Sequence, residues 1–197
     1  MPSLSDKHQL RSLMKKMRKE HSPLERKEKS GAICRRLAES AKFRQAKTIL
    51  FYYPKADEVD ARAAIAAALG QEKTVCLPCT DRKTGTITAC AISGLDGRKD
   101  LEKAAFGIPE PKKDGRKTVA PKKIDVIVVP GIAFDLHGDR VGHGLGYYDK
   151  FLAAAKGASK IAIAFDFQVV DEKIVCDSHD ARVDEIITEK RHIVVRK

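Results

Sequence analysis

The order of elements in this sequence predicts an α/β fold. The expected architecture is a three-layer sandwich with a mostly parallel central sheet flanked by helices, the N-terminal helices packed on one side. Three observations predict it. Helical and strand patterns alternate along the chain, as they do where crossover helices join parallel strands. Residues 124–129 form an apolar, β-branched run typical of a strand buried on both faces. Residues 126–152 then read as strand, glycine-rich loop and helix. Ligands in such folds bind beyond the carboxyl ends of the strands, and this loop follows the carboxyl end of the 124–129 strand.

Each element has its own signal. In residues 5–19, Leu10, Leu13, Met14 and Met17 stand at i, i+3, i+4 and i+7, an apolar stripe on a helix. Ser22-Pro23-Leu24-Glu25 starts a second helix: Ser as N-cap, Pro in the first position, Glu three after the cap. That helix extends to about residue 41, with Ile33 and Leu37 inward. A strand follows over 48–53, and Asp60 is placed to cap an alanine-rich helix over 61–69. Residues 74–77 and 86–92 read as strands joined by a hairpin turn over 81–85. Residues 93–123 read as loop. Residues 160–165 form another strand, and Ile186-Ile187 and 193–195 supply short final ones. There is no internal repeat, and 197 residues suit one domain over 1–197.

Composition narrows the function classes. Hydrophobic content of 43% supports a core, and the 33% charged content is mixed in sign. No apolar run has the length of a membrane span, and the Lys- and Arg-rich N-terminus lacks the apolar centre of a secretory signal. A cytoplasmic protein with no membrane partner is the expectation. The net charge of +11 raises nucleic acid as a partner. The basic residues are spread through the N-terminal helices, residues 112–123 and the C-terminus, however, and aromatics make up only 6% with no Trp. No nucleic-acid partner is therefore expected. A polyanionic small substrate fits the charge, and so does a solvated basic surface. The five cysteines have irregular spacing, and an odd count gives no disulfide framework. Cys76-Leu77-Pro78-Cys79 runs on from a strand rather than opening a helix, which argues against a redox motif. A zinc site would need a second pair. The cysteines read as structural.

The chemistry concentrates in the glycine loop. Gly138, Gly142, Gly144 and Gly146 accompany Arg140, and Tyr147-Tyr148-Asp149 opens the helix. Glycine lets backbone N–H groups approach an anion, and a helix N-terminus adds free N–H groups and partial positive charge. The loop fits neither G-x-x-x-x-G-K-[ST] nor G-x-G-x-x-G, since Tyr147 stands where the third glycine would be. Arg140 offers a planar fork for phosphate oxygens. Asp149, in the first helical turn, is placed to hold Mg²⁺ against those phosphates, or simply complements the helix dipole.

The stretch V-P-G-I-A-F-D-x-x-G-x-R-V-G-x-G-x-G-Y-Y-D-K-F-L closely resembles the signature of the 5-formyltetrahydrofolate cyclo-ligase (5,10-methenyltetrahydrofolate synthetase) family. Further marks fall in the family's order: Lys7-His8-Gln9-Leu10-Arg11, Asp57-Glu58-Val59-Asp60, Phe106-Gly107-Ile108-Pro109-Glu110-Pro111, and Asp180-Ala181-Arg182-Val183-Asp184 after His179. The resemblance spans nearly the whole chain. It implies an ATP- and Mg²⁺-dependent closure of 5-formyltetrahydrofolate to 5,10-methenyltetrahydrofolate with release of ADP and phosphate, by phosphorylation of the formyl oxygen. It implies ATP binding by Lys7, His8, Gln9, Leu10, Arg11, Arg140, Val141, Gly142, His143, Gly144, Leu145, Gly146, Tyr147 and Tyr148, with Lys7 and Arg140 catalytic. It implies substrate binding by Tyr53, Glu58, Phe106 and Tyr148. It implies metal ligation by Asp149 and Asp180, with Asp184 as the competing choice. The partners it implies are a reduced folate, with or without a polyglutamate tail, and ATP, and the expected state is a monomer.

The chain departs from the family pattern at His143, where an Arg or an aromatic is common, and at Leu145. Cys76, Cys79 and the basic stretch over 112–123 are its own. A nucleotide- or RNA-binding module without turnover is the alternative reading. Lys7, Arg140, Asp149 and Glu58 together favour the enzyme.

Overall fold

The computed structural model describes residues 6–97, 99–104, 107–112, 117–177 and 180–196. Five helices are seen among them: α1 Lys7–Glu20, α2 Pro23–Glu39, α3 Ala41–Gln45, α4 Arg62–Gly70 and α5 Tyr147–Ala154. The strands are β1 Thr48–Leu50, β2 Thr74–Asp81, β3 Thr86–Ile92, β4 Leu101–Lys103, β5 Pro109–Pro111, β6 Lys117–Val119, β7 Val126–Val129, β8 Ala133–Asp135, β9 Arg140–Val141, β10 Ser159–Ile163, β11 Val169–Val170, β12 Glu185–Ile187 and β13 His192–Val194.

An eight-stranded sheet in the order β13-β12-β10-β7-β1-β2-β3-β6 forms the centre. The run β12-β10-β7-β1-β2 is parallel, and the strands beyond it at either edge, β13 on one side and β3 and β6 on the other, pair antiparallel. Strand alternation divides two cores. Ile49, Val75, Val126, Val128 and Ile161 face Ile33, Leu37, Ile65 and Ala68 of α2 and α4. Leu50, Cys76, Ile127, Val129 and Ala162 face Phe151 and Leu152 of α5. This is the expected sandwich, and β7, predicted from its β-branched run, is buried at every residue.

Helix α2 starts as predicted. Ser22 Oγ accepts the Glu25 N–H and Glu25 Oε2 accepts the Ser22 N–H, closing a capping box. Helix α4 begins at Arg62, two residues after Asp60. Asp60 Oδ1 still accepts the free Arg62 N–H at 3.1 Å, but the cap position itself is Ala61.

Four expectations are corrected. Helix α1 does not join α2 on the sheet. Leu10 and Met14 pack on Ile132, Ala133 and Val141, over the small sheet β11-β8-β9. Its stripe turns accordingly: Leu13 is 40% exposed, and Arg18 is buried on the same face as Leu10 and Met14. The stretch between β7 and α5 is not one loop, because β8 and β9 form an antiparallel pair that carries Arg140. Residues 93–123 are not all loop either, since they include β4, β5 and β6; of the basic stretch, 113–116 lie outside the described residues. Finally, Cys79 and Cys90 are joined as a disulfide, S–S 2.50 Å. In the β2–β3 register Leu77 lies opposite Cys90 and Cys79 opposite Thr88, so the two cysteines are diagonal neighbours within reach of each other. Cys34, Cys76 and Cys176 are free.

Candidate active site

A cavity of about 520 Å³ opens where the carboxyl ends of β1 and β7 meet the glycine loop. That volume suits a drug-sized ligand. Two walls of different chemistry line it.

One wall carries the cations. Arg140 leaves β9 as a buried side chain and donates from Nη2 to Asp149 Oδ1 at 2.6 Å. The same oxygen accepts the Ala181 N–H at 3.1 Å, which brings the 180–184 segment against α5. Lys7, at the first turn of α1, donates to Asp180 Oδ2 at 2.7 Å and Asp177 Oδ2 at 3.0 Å. Burial opposes the Lys7 charge, but these bonds from both acids more than offset it and hold the ammonium's pKa up. Arg11, one turn along the helix, donates from Nε to Gly142 O at 2.9 Å and so ties α1 to the loop. The free loop is short: Gly142, His143, Gly144, Leu145, Gly146. Gly144 (φ +95°) and Gly146 (φ +68°) occupy the left-handed region that a side chain would strain. Gly146 is also the N-cap of α5 and offers no side-chain acceptor, so the first-turn amides of α5 have no side-chain cap. Tyr147, Tyr148 and Asp149 complete this wall.

The other wall is apolar with two acids set in it. Tyr53, Pro78, Ile87, Ile108 and Pro109 supply the apolar surface. Glu58 is nearly buried; its Oε2 accepts the Lys55 N–H at 3.0 Å, and its Oε1 lies 3.3 Å from His143 Nε2. Burial alone would raise its pKa. The His143 and Lys55 bonds and the nearby charge of Arg18 outweigh it, so Glu58 stays below the ordinary carboxylate value and ionised. Arg18 donates to Gly131 O at 2.6 Å, just past β7, and approaches Asp57 to 3.6 Å. It thus pins α1 beneath the 55–58 turn. Glu110 is buried on β5 and accepts the Thr80 N–H at 3.0 Å. That bond has a sheet-level reason. β2 outruns β1, so beyond Cys76 its outer edge has no strand; Pro78 lacks a donor there, and the Thr80 N–H finds a carboxylate instead. Between the walls stands Tyr148. Its hydroxyl is buried with no hydrogen-bond partner among the described residues, and burial, with the charge of Glu58, pushes its pKa up, so it stays protonated.

Most expected site residues meet here. Lys7, Arg11, Tyr53, Glu58, Arg140, Asp149, Asp180 and the whole run 141–148 line the cavity. His8 and Gln9 are exposed on the outer side of α1, and Leu10 is core, so these three are not brought to it. Phe106 lies outside the described residues. Asp184 is placed elsewhere: it accepts the Lys160 N–H at 2.9 Å at the start of β10. Sequence reasoning missed Glu110, Thr80 and Asp177. Glu110 stood inside a quoted motif, and Asp177 precedes Asp180 by one turn, with its N–H on Asp180 Oδ2. Neither spacing is distinctive without the fold.

Fold and site together set a cation-lined glycine loop beside an apolar cleft, at the carboxyl ends of the strands of an α/β sheet. The model of the 5-formyltetrahydrofolate cyclo-ligase family matches residues 3–189, and the chain belongs to that family. It is 27% identical over 196 residues to a probable 5-formyltetrahydrofolate cyclo-ligase of Caenorhabditis elegans, covering 95% of each chain. It is 32% identical over 149 residues to the 5-formyltetrahydrofolate cyclo-ligase of Mycolicibacterium smegmatis, covering 75% of this chain and 76% of that one. The solved structure of Aquifex aeolicus 5,10-methenyltetrahydrofolate synthetase superposes with a TM-score of 0.83 at 34% identity, over 97% of this chain and 93% of that one. Among the described residues no helix is long and apolar enough to cross a membrane.

Proposed function

We propose that the protein closes 5-formyltetrahydrofolate to 5,10-methenyltetrahydrofolate with ATP and Mg²⁺, releasing ADP and phosphate. The observation that carries this reading is the pairing of the two walls. A phosphate-sized, cation-lined half adjoins an apolar half whose ionised Glu58 suits the donor-rich edge of a pterin. One cavity thereby brings a triphosphate and a folate together.

The chemistry follows from why the formyl group is inert. Amide resonance stabilises it, and its oxygen leaves badly. In the proposed route the formyl oxygen attacks the γ-phosphorus and ADP departs. The ten-position nitrogen then attacks the formyl carbon, the carbon–oxygen bond breaks, phosphate leaves, and the nitrogen's proton passes to solvent. Lys7, Arg11 and Arg140 neutralise the transferring phosphoryl, the loop amides and the N-terminus of α5 cradle it, and Tyr53 and Glu58 orient the folate. The donor set fits Mg²⁺. Asp149 and Asp180 are hard oxygen ligands, and the described residues form no cluster of three or more His, Cys, Asp or Glu. An ion that takes one or two carboxylates plus phosphate oxygens needs no more. When bound it supplies neutralisation of phosphate charge. The reading includes one domain over 1–197, acting as a monomer in the cytoplasm.

The test is isotopic. A heavy-oxygen label in the formyl group should appear in the released inorganic phosphate. Label retained in water or in the folate would rule out phosphorylation of the formyl oxygen.

A further inference from the structure

A hydrogen bond joins the glycine loop to the acid of the other wall, from His143 to Glu58. Among the described residues, Glu58 is the only hydrogen-bond partner of the His143 imidazole. Since Glu58 is ionised, Nε2 is the donor. Both Glu58 oxygens are then occupied, Oε1 by His143 and Oε2 by the Lys55 N–H. The Glu58 side chain is 9% exposed and lines the cavity beside His143. A ligand presenting two neighbouring N–H groups reaches for both oxygens, so at Oε1 it meets the His143 donor.

The glycines on either side of His143 give its segment backbone freedom. It lies between Gly142 and Gly144, the latter at φ +95°, with Gly146 at φ +68° two residues on. Leu145 beside it is 57% exposed and packs on no core. Arg11 bonds the base of the segment at Gly142 O, and its guanidinium passes beside Gly144.

We propose that His143 is a positioning residue that couples the two substrates: it occupies Glu58 in the free protein, and folate binding displaces it and releases the loop tip for the nucleotide. This rests on the folate reading of the Glu58 wall. Its logic is population shift. Each ligand binds the open loop, so each pays for opening when it binds alone, and the ligand that binds second does not. Binding of either therefore tightens the other, and by linkage the two factors are equal.

The experiment is titration of 5-formyltetrahydrofolate by calorimetry, with and without a non-hydrolysable ATP analogue and Mg²⁺. For the parent, the analogue should tighten folate binding about fivefold, the scale of one part-exposed charged contact. His143→Ala should bind folate about fivefold tighter than the parent without nucleotide, and gain little more from adding it. His143→Gln keeps an N–H donor near the Nε2 position and should stay close to the parent. Unchanged or weaker folate binding by His143→Ala without nucleotide, or full coupling retained in it, overturns the proposal. Folate binding that ignores Glu58→Gln also overturns it while leaving the substrate assignment standing. Absence of folate binding by every protein removes the assignment and the coupling together.

Discussion

The two walls of the cavity are made in opposite ways. The cation-lined wall comes largely from one stretch of chain, 140–149, and its charges are already paired: Arg140 with Asp149, Lys7 with Asp180 and Asp177. The apolar wall is assembled from four separate segments, around 52–58, 78–80, 87 and 108–110. Glu110 is held by one backbone N–H, and Glu58 by a backbone N–H and the His143 ring. The difference teaches what each half is preset for. Under the proposed function phosphates would take the cations and a metal the acids, so that charge stays balanced. Acids set in apolar surroundings instead favour a ligand that brings donors and apolar area together.

The comparison can be broken from either side. The largest effect is expected at Arg140. Arg140→Met should lower kcat by about a thousandfold, the loss seen when a preorganised charge-stabilising donor is removed, with folate binding near the parent's. Steady-state kinetics with folate titration checks it, and an equal loss in folate affinity would mean that the walls are not separate. Glu58→Gln should act oppositely. It should raise KM for the folate roughly tenfold to a hundredfold, the worth of a hydrogen bond to a charged group, and spare nucleotide binding.

Glu58 also gives a pH signature. Its folded pKa lies below the ordinary 4.5. It therefore contributes stability that is present above that value and is lost as pH falls through the lowered one. The Tm gap between the parent and Glu58→Gln should be widest near neutral pH and close in acid. A gap that stays constant with pH would contradict an ionised Glu58. The smallest effect is expected from Glu110→Gln, a severalfold rise in folate KM alone, since the amide keeps an acceptor for the Thr80 N–H. A larger effect on nucleotide binding would move Glu110 to the other wall.

Legibility followed the same division. Helix α2 was readable from its cap, β7 from its β-branched run, and the cation-lined wall from one contiguous glycine-rich motif. Strands of two or three residues, such as β5, β8 and β9, carry no period of their own, because partners far along the chain define them. Glu110 and Thr80 were hidden for that reason: their bond exists only because β5 lies beside the free edge of β2. The facing of α1 was misread because Leu10, Leu13, Met14 and Met17 satisfy the helical period equally, and only the position of β8 and β9 decides that Leu13 faces solvent. The Cys79–Cys90 pair likewise depends on a strand register that cysteine spacing does not reveal.

The central claim is that one cavity joins a folate to a phosphoryl donor. The direct measurement mixes purified protein with 5-formyltetrahydrofolate, ATP and Mg²⁺ and follows methenyl absorbance and ADP together. The account predicts that both appear in equal amounts, that each requires the other substrate, and that Asp149→Ala, though folded, produces neither. ADP formed without methenyl product, or methenyl formed without ATP, would contradict it.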